Sequence, residues 1–279
     1  MATPQILYCT CAHTQLVPPG EQTQLRTILG QIPDRVTCIS DLCGYVARKS
    51  PELWTWAETD NLHIIACYPR SVIQLFSAAG IVLDPTRVTL INPRTTTPQA
   101  IAAQLGLGPN PSGIPPLASP PIVDAAAPWF PVIDRTRCVD CKQCLNFCLF
   151  DTYTETAEGR VEVSQPLNCK LNCPACARIC PEAAIIFPKY PEAPINGENI
   201  SDETAVKEQI KVNVEEILGN DIYAALARRK ARSKRKLIRT NLDPARADAE
   251  RTHYLGNLSE PVVFRPTIPP PKTHPEEEN

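Results

Sequence analysis

Short apolar runs alternate with amphipathic segments through the N-terminal part of the chain. Ile6-Leu7-Tyr8, Arg35 to Ile39, Leu62 to Ala66 and Arg87 to Ile91 have the length and continuity of buried strands. Between them, Ser50-Pro51-Glu52 and Thr97-Pro98-Gln99 each set a capping residue before a proline at the first helical position. Arg70 to Ala79 has the apolar spacing of a further helix. Strand–helix alternation predicts a small parallel α/β domain over residues 1–108.

The pattern then changes. From 109 to 131, Pro115-Pro116, Pro120-Pro121, Pro128 and Pro131 deny regular hydrogen-bonded structure and predict an extended linker. A cysteine-dense stretch follows over 132–190, and a polar, basic tail over 191–279. In that tail Val206, Ile210, Val214 and Ile217 recur at helical spacing. A second helix is expected from Asp221 to Ile238, its acidic start and basic end suiting the helix dipole. The final Pro269-Pro270-Pro271 and Glu276 to Glu278 predict disorder.

At 279 residues and 43% hydrophobic, the chain has room for two modest domains with extra segments. A formal charge of −2 gives no global pull toward nucleic acid or membrane. Met1 to Cys11 lacks the layout of a secretory signal, and no apolar run is of bilayer length, so the expectation is a soluble, cytoplasmic protein with no membrane partner. Thirteen cysteines in such a chain point to metal ligands or redox thiols rather than disulfides.

Eight of them fall in two runs: Cys138-x2-Cys141-x2-Cys144-x3-Cys148 and Cys169-x3-Cys173-x2-Cys176-x3-Cys180-Pro181. A cubane cluster takes one thiolate on each of four irons, and a tight loop wraps three corners but does not easily reach the fourth. The remaining corner is therefore expected from the last cysteine of the other run. On that logic Cys138, Cys141, Cys144 and Cys180 hold one [4Fe–4S] cluster, and Cys169, Cys173, Cys176 and Cys148 a second. Thr152 to Thr156, Gly159 and Arg160 to Val163 between the runs are hairpin material.

These residues resemble the bacterial-type two-cluster ferredoxins, which shuttle single electrons. Two positions depart from that pattern: Leu149 follows Cys148 where a proline is usual, and three residues rather than two separate Cys169 from Cys173. Both touch the second set, so the two clusters are expected to differ in potential or lability. Zinc is the rival, since C-x2-C pairs also build tetrahedral sites, but a zinc pair is usually followed by a wide gap, whereas three thiolates crowd each loop here.

Of the remaining cysteines, Cys9, Cys11, Cys43 and Cys67 are expected just past strand ends, along one edge of the sheet where α/β folds bind ligands. Cys38, inside a strand, reads as a small buried hydrophobe. Cys9-x-Cys11, Asp41-Leu42-Cys43 and Ala66-Cys67-Tyr68-Pro69-Arg70 resemble the N-terminal domain of the flavin-bearing component of heterodisulfide reductases. The flavin-binding G-x-G-x-x-G is absent, so the resemblance implies a place in a heterodisulfide-reductase-like complex rather than the reductase chemistry. Three readings stay open: a third iron–sulfur site on Cys9, Cys11, Cys43 and Cys67, a redox dithiol at Cys9 and Cys11, or free cysteines at loop starts. His13 nearby reads as a solvated loop residue.

The basic run Arg228 to Arg239 is a solvated helix end or a dock for an acidic protein; without interleaved aromatics it is a poor nucleic-acid element. Trp54 and Trp56 face different ways on a helix and are assigned to packing. No nucleophile–base pair, phosphate loop or carboxylate pair is present, and His13, His63, His253 and His274 are dispersed, which argues against catalysis by this chain alone. The fold class expected is an α+β multidomain chain: a small parallel α/β domain, a two-cluster ferredoxin-like domain and a helical tail. The function expected is one-electron transfer to redox partner proteins. The alternative is a cluster- or zinc-stabilised regulatory protein docking through its basic helix.

Overall fold

The computed structural model describes residues 4–109, 111–122, 127–218 and 224. Residues 1–233 group into one compact unit, and 234–279, a second unit, lie outside the described residues. Apart from Ala224, so do the helix expected over Asp221 to Ile238 and the basic run Arg228 to Arg239.

Four strands, β1 (Gln5–Cys9), β2 (Val36–Ile39), β3 (Leu62–Ile65) and β4 (Val88–Ile91), form a parallel sheet in the order β2-β1-β3-β4. The register sets Ile6 against both Val36 and His63, and Ile64 against Leu90. Side chains alternate across the sheet, so Leu7 and Cys9 enter one core while Ile6 and Tyr8 enter the other. Helices α1 (Pro19–Leu29) and α5 (Pro98–Gln104) cover the Ile6 and Tyr8 face; α2 (Leu42–Ala47), α3 (Glu52–Ala57) and α4 (Pro69–Ala78) cover the other. A parallel sheet covered on both faces needs strands that are apolar throughout, which is why they stand out as continuous runs.

Sequence pattern does not single out α1 or α2. α1 buries only Leu25, Ile28 and Leu29 and starts on Pro18 without a side-chain cap, so its apolar stripe is too thin to read. α2 is one short piece where the sequence implies a turn; its cap, Asp41, accepts from Cys43 N at 3.0 Å. Thr97 caps α5 as its sequence implies, accepting from Ala100 N.

Four further short strands follow: β5 (Val132–Ile133), β6 (Tyr153–Glu155), β7 (Val161–Val163) and β8 (Ile185–Ile186). β5 pairs antiparallel with β8 and β6 with β7, the latter a hairpin whose turn uses Gly159 at φ +80°. Helices α6 (Gln143–Phe147) and α7 (Ala175–Arg178) carry cysteines, and α8 (Glu203–Leu218) is the helix implied by Val206, Ile210, Val214 and Ile217. Among the described residues no helix is long and apolar enough to cross a membrane.

β5 and β8 serve two cores at once. Their Val132–Ile186 pair joins the core that covers the Leu7 face of the large sheet, and their Ile133–Ile185 pair joins the core of the cysteine stretch. Each of the four side chains is buried, worth about 1.5–3 kcal/mol apiece. Polar contacts add to the join. Arg70, on α4, donates from Nε to Asp134 Oδ2 at 2.6 Å and from Nη2 to Ala183 O at 2.7 Å, and Ser71 Oγ donates to Asn196 O at 2.7 Å. Gly197 (φ +87°) lies against Ser71 so closely that a Cβ there would collide with its hydroxyl.

Candidate metal centre

The chain from Asp134 to Cys148 turns tightly. Cys138 N donates to Asp134 O at 2.9 Å, and on either side of Cys141 the left-handed residues Asp140 (φ +50°) and Lys142 (φ +63°) reverse the backbone. Such a conformation costs a non-glycine residue about 1–2 kcal/mol, so neighbours must hold it. Asp140 Oδ1 accepts from Val161 N at 2.9 Å, and Lys142 pairs with Glu155 at 2.5 Å, both on the β6–β7 hairpin. Cys180 reaches the same place from the other run, because Asp134 N donates to Ala184 O at 2.7 Å and Arg137 Nε to Glu182 O at 2.7 Å. Cys138, Cys141, Cys144 and Cys180 thus line one hollow of about 380 Å³, counted with its space open to solvent.

Cys169, Cys173 and Cys176 line a second hollow of about 400 Å³, and Cys148 from the first run is the fourth thiol there. Here too a left-handed residue, Asn172 (φ +59°), bends the loop just before Cys173. Tyr153 and Phe147 wall this hollow from within, while Leu149 and Phe150 at its rim are 43% and 37% exposed. Hydrogen bonds to sulfur differ between the two: Ala184 N donates to Cys180 Sγ at 3.3 Å, and the buried phenol of Tyr153 donates to Cys176 Sγ at 3.1 Å.

Burial, with Cys180 and Cys141 close by, pushes the Cys144 thiol up to about 12; burial, with Cys173 and Cys148 close by, does the same to Cys169. Cys176 is raised well above its ordinary value by burial, against which the Tyr153 hydrogen bond works. Metal-free, these groups are neutral thiols at neutral pH, and a bound cation would displace their protons.

The first sheet gathers its own thiols at the C-terminal edge of β2, β1 and β3, three adjacent strands. Cys9 closes β1, Cys43 is the second residue of α2 after β2, and Cys11 and Cys67 lie two residues past β1 and β3. Cys9, Cys11 and Cys67 line one hollow of about 380 Å³, and Cys43 lines another with Lys189, Trp129 and Phe130. The four are electrostatic neighbours. Burial and then Cys11 raise both Cys9 and Cys67, the latter to about 12, and Cys43 is raised by burial and in part by Cys67 and Cys11, against Lys189. Leu42 N donates to Cys9 Sγ at 3.3 Å, and Cys11 Sγ lies 3.1 Å from Thr14 Oγ1. Cys38, on β2, packs with the opposite core.

Two charged residues in this place form a pair that carries no signal in the sequence. Lys189, three residues past β8, is 3% exposed and donates from Nζ to Asp41 Oδ1 at 2.9 Å and to Pro128 O at 2.8 Å. Asp41 is 1% exposed. In the sequence it stands out only as part of Asp41-Leu42-Cys43, with no sign of its partner.

Among the described residues no three His, Cys, Asp or Glu side chains converge tightly enough for a single metal ion. In both cysteine runs the thiols instead stand around the walls of a hollow. Four thiols to each hollow is the number a cubane cluster takes, one on each iron.

Over 61 residues the chain is 44% identical to an uncharacterized ferredoxin of Methanocaldococcus jannaschii, a match covering 22% of this chain and 41% of that relative. The chain thus spans well under half the length of the curated relative it matches. No protein-family profile matches the chain, and no solved structure matches it.

Proposed function

We propose that this protein is an iron–sulfur electron carrier with two [4Fe–4S] clusters, one on Cys138, Cys141, Cys144 and Cys180 and one on Cys169, Cys173, Cys176 and Cys148. The observation that carries the reading is the composition of the two hollows, each with three thiols from one run and a fourth from the other. The likeness to a protein named as a ferredoxin supports the same reading. When bound, such clusters supply a reversible one-electron couple; the chain's part is to fix the thiolates, limit water and aim donors at sulfur. The Tyr153 phenol and the Ala184 amide are those donors.

Cys9, Cys11, Cys43 and Cys67 are proposed as a third iron–sulfur site, supported by their meeting at one sheet edge. Redox partner proteins, within a larger complex of the heterodisulfide-reductase kind, would exchange electrons with the carrier. Iron and acid-labile sulfide per chain after anaerobic purification test the reading: about eight of each for two clusters and about twelve for three. One zinc per cysteine set, or a purified protein with no reversible one-electron couple, would overturn it.

A further inference from the structure

We propose that Lys189 is a positioning residue for the four-thiol site of the first sheet, its buried ammonium held beside Cys43 and making that site easier to reduce. The inference rests on the reading of Cys9, Cys11, Cys43 and Cys67 as a cluster site.

An ammonium carries three N–H donors. Two of those of Lys189 go to Asp41 Oδ1 and Pro128 O, leaving one. Lys189 shares its hollow with Cys43, and both Lys189 Nζ and the Cys43 amide donate to the same oxygen, Asp41 Oδ1, at 2.9 and 3.0 Å. The opposing charge is also enclosed. Asp41 gives Oδ1 to Lys189 and to Cys43 N, while its Oδ2 is buried without a partner.

An isolated carboxylate beside anionic sulfurs is a costly arrangement that the neighbouring ammonium makes tolerable. A buried ion pair is in general weak evidence for stability, because apolar residues of the same shape often do as well. A role toward the thiols accounts for it better than docking alone. Arg94, the other cation beside Cys11 and Cys67, is turned toward the Tyr68 ring at 4.8 Å and toward the carbonyls of Pro188 and Tyr190.

The reaction affected is the gain of one electron from a one-electron donor protein. No bond to the thiolates forms or breaks, and the site gains one negative charge. A fixed cation stabilises the reduced form more than the oxidised form, and a fixed anion does the reverse. Lys189 and Asp41 therefore act with opposite sign on the same site.

The test uses the full-length chain, reconstituted anaerobically and titrated with dithionite, with each cluster followed by electron paramagnetic resonance. Lys189→Met is expected to shift the oxidised-to-reduced ratio of the first-sheet site at least tenfold toward oxidised, about 59 mV for a one-electron couple. Asp41→Asn, which keeps an oxygen for the Cys43 amide, is expected to shift the same site the opposite way. The other two couples stay in place in both variants. An unchanged first-sheet couple in either variant that retains about twelve irons overturns the role of Lys189. A wild-type chain holding only about eight irons, with Cys9 and Cys67 open to alkylation, overturns the third site itself, and the inference with it.

Discussion

The thiols of the two cysteine runs and those of the first sheet are assembled by different means. In the runs, three of four sulfurs come from one loop bent by Asp140, Lys142 or Asn172, and only the fourth arrives from elsewhere. At the sheet edge, no loop supplies more than two, and the four thiols share that edge because β2, β1 and β3 are neighbours. Local wrapping writes itself into residue spacing. Assembly by topology leaves isolated cysteines whose kinship depends on strand order.

The largest test of this contrast is Cys180→Ala. It should cost the hollow of Cys138, Cys141 and Cys144 its cluster, about four irons per chain, and leave the second hollow and the sheet edge loaded. Spectra with selective loss from the hollow of Cys169, Cys173 and Cys176 would contradict the crossed arrangement.

Next in size is Arg70→Met, which leaves the buried Asp134 its Gln74 and Thr136 donors but no counter-charge. The carboxyl of Asp134, lifted by burial, is brought below its ordinary range by the Thr136 and Arg70 hydrogen bonds that outweigh it. Breaking a buried pair of this kind costs about 3–5 kcal/mol. Since Arg70 also holds Ala183, the sheet-edge thiols should become reactive to alkylation in milder denaturant than in the parent chain. Equal loss of midpoint with no change in thiol reactivity would place Arg70 outside the assembly of that edge.

The last test concerns pH in the metal-free protein. Cys144, Cys169 and Cys67 titrate near 12 in the folded chain against an ordinary value of 9.0. A raised thiol value means that the folded state holds its protons longer than the unfolded one. The corresponding stability is complete below pH 9.0 and drains away as pH rises toward 12. Urea midpoints of the metal-free chain should therefore fall across that window, while those of the loaded chain, whose thiols have no proton to lose, fall less. A flat metal-free profile would mean that these thiols are already solvated when folded.

The same contrast governs what is legible in the sequence. Leu62 to Ala66 implies a strand, and β3 runs over Leu62–Ile65, because a doubly covered parallel strand is apolar along its whole length. The two cysteine runs declare their groups through spacing alone. α1 stays hidden because three buried residues on a polar helix make no clear stripe, and α2 because one turn and a half behind a cap looks like a loop. Lys189 is invisible for a deeper reason. A lone lysine in Phe187-Pro188-Lys189-Tyr190 reads as solvated, and its partner Asp41 lies far away in the chain, across a junction that no local pattern describes.

The β5–β8 clasp ties these sites into one thermodynamic system. The chain between Val132 and Ile186 carries all eight cysteines of the two runs, while that pair's side chains belong to the core beneath the first sheet. Whatever binds inside the loop reduces the entropy lost when the clasp closes, and the closed clasp completes the first core. Reciprocity follows. Whatever firms the first sheet favours the closed clasp in return, and with it the order of the loop that carries both cysteine runs.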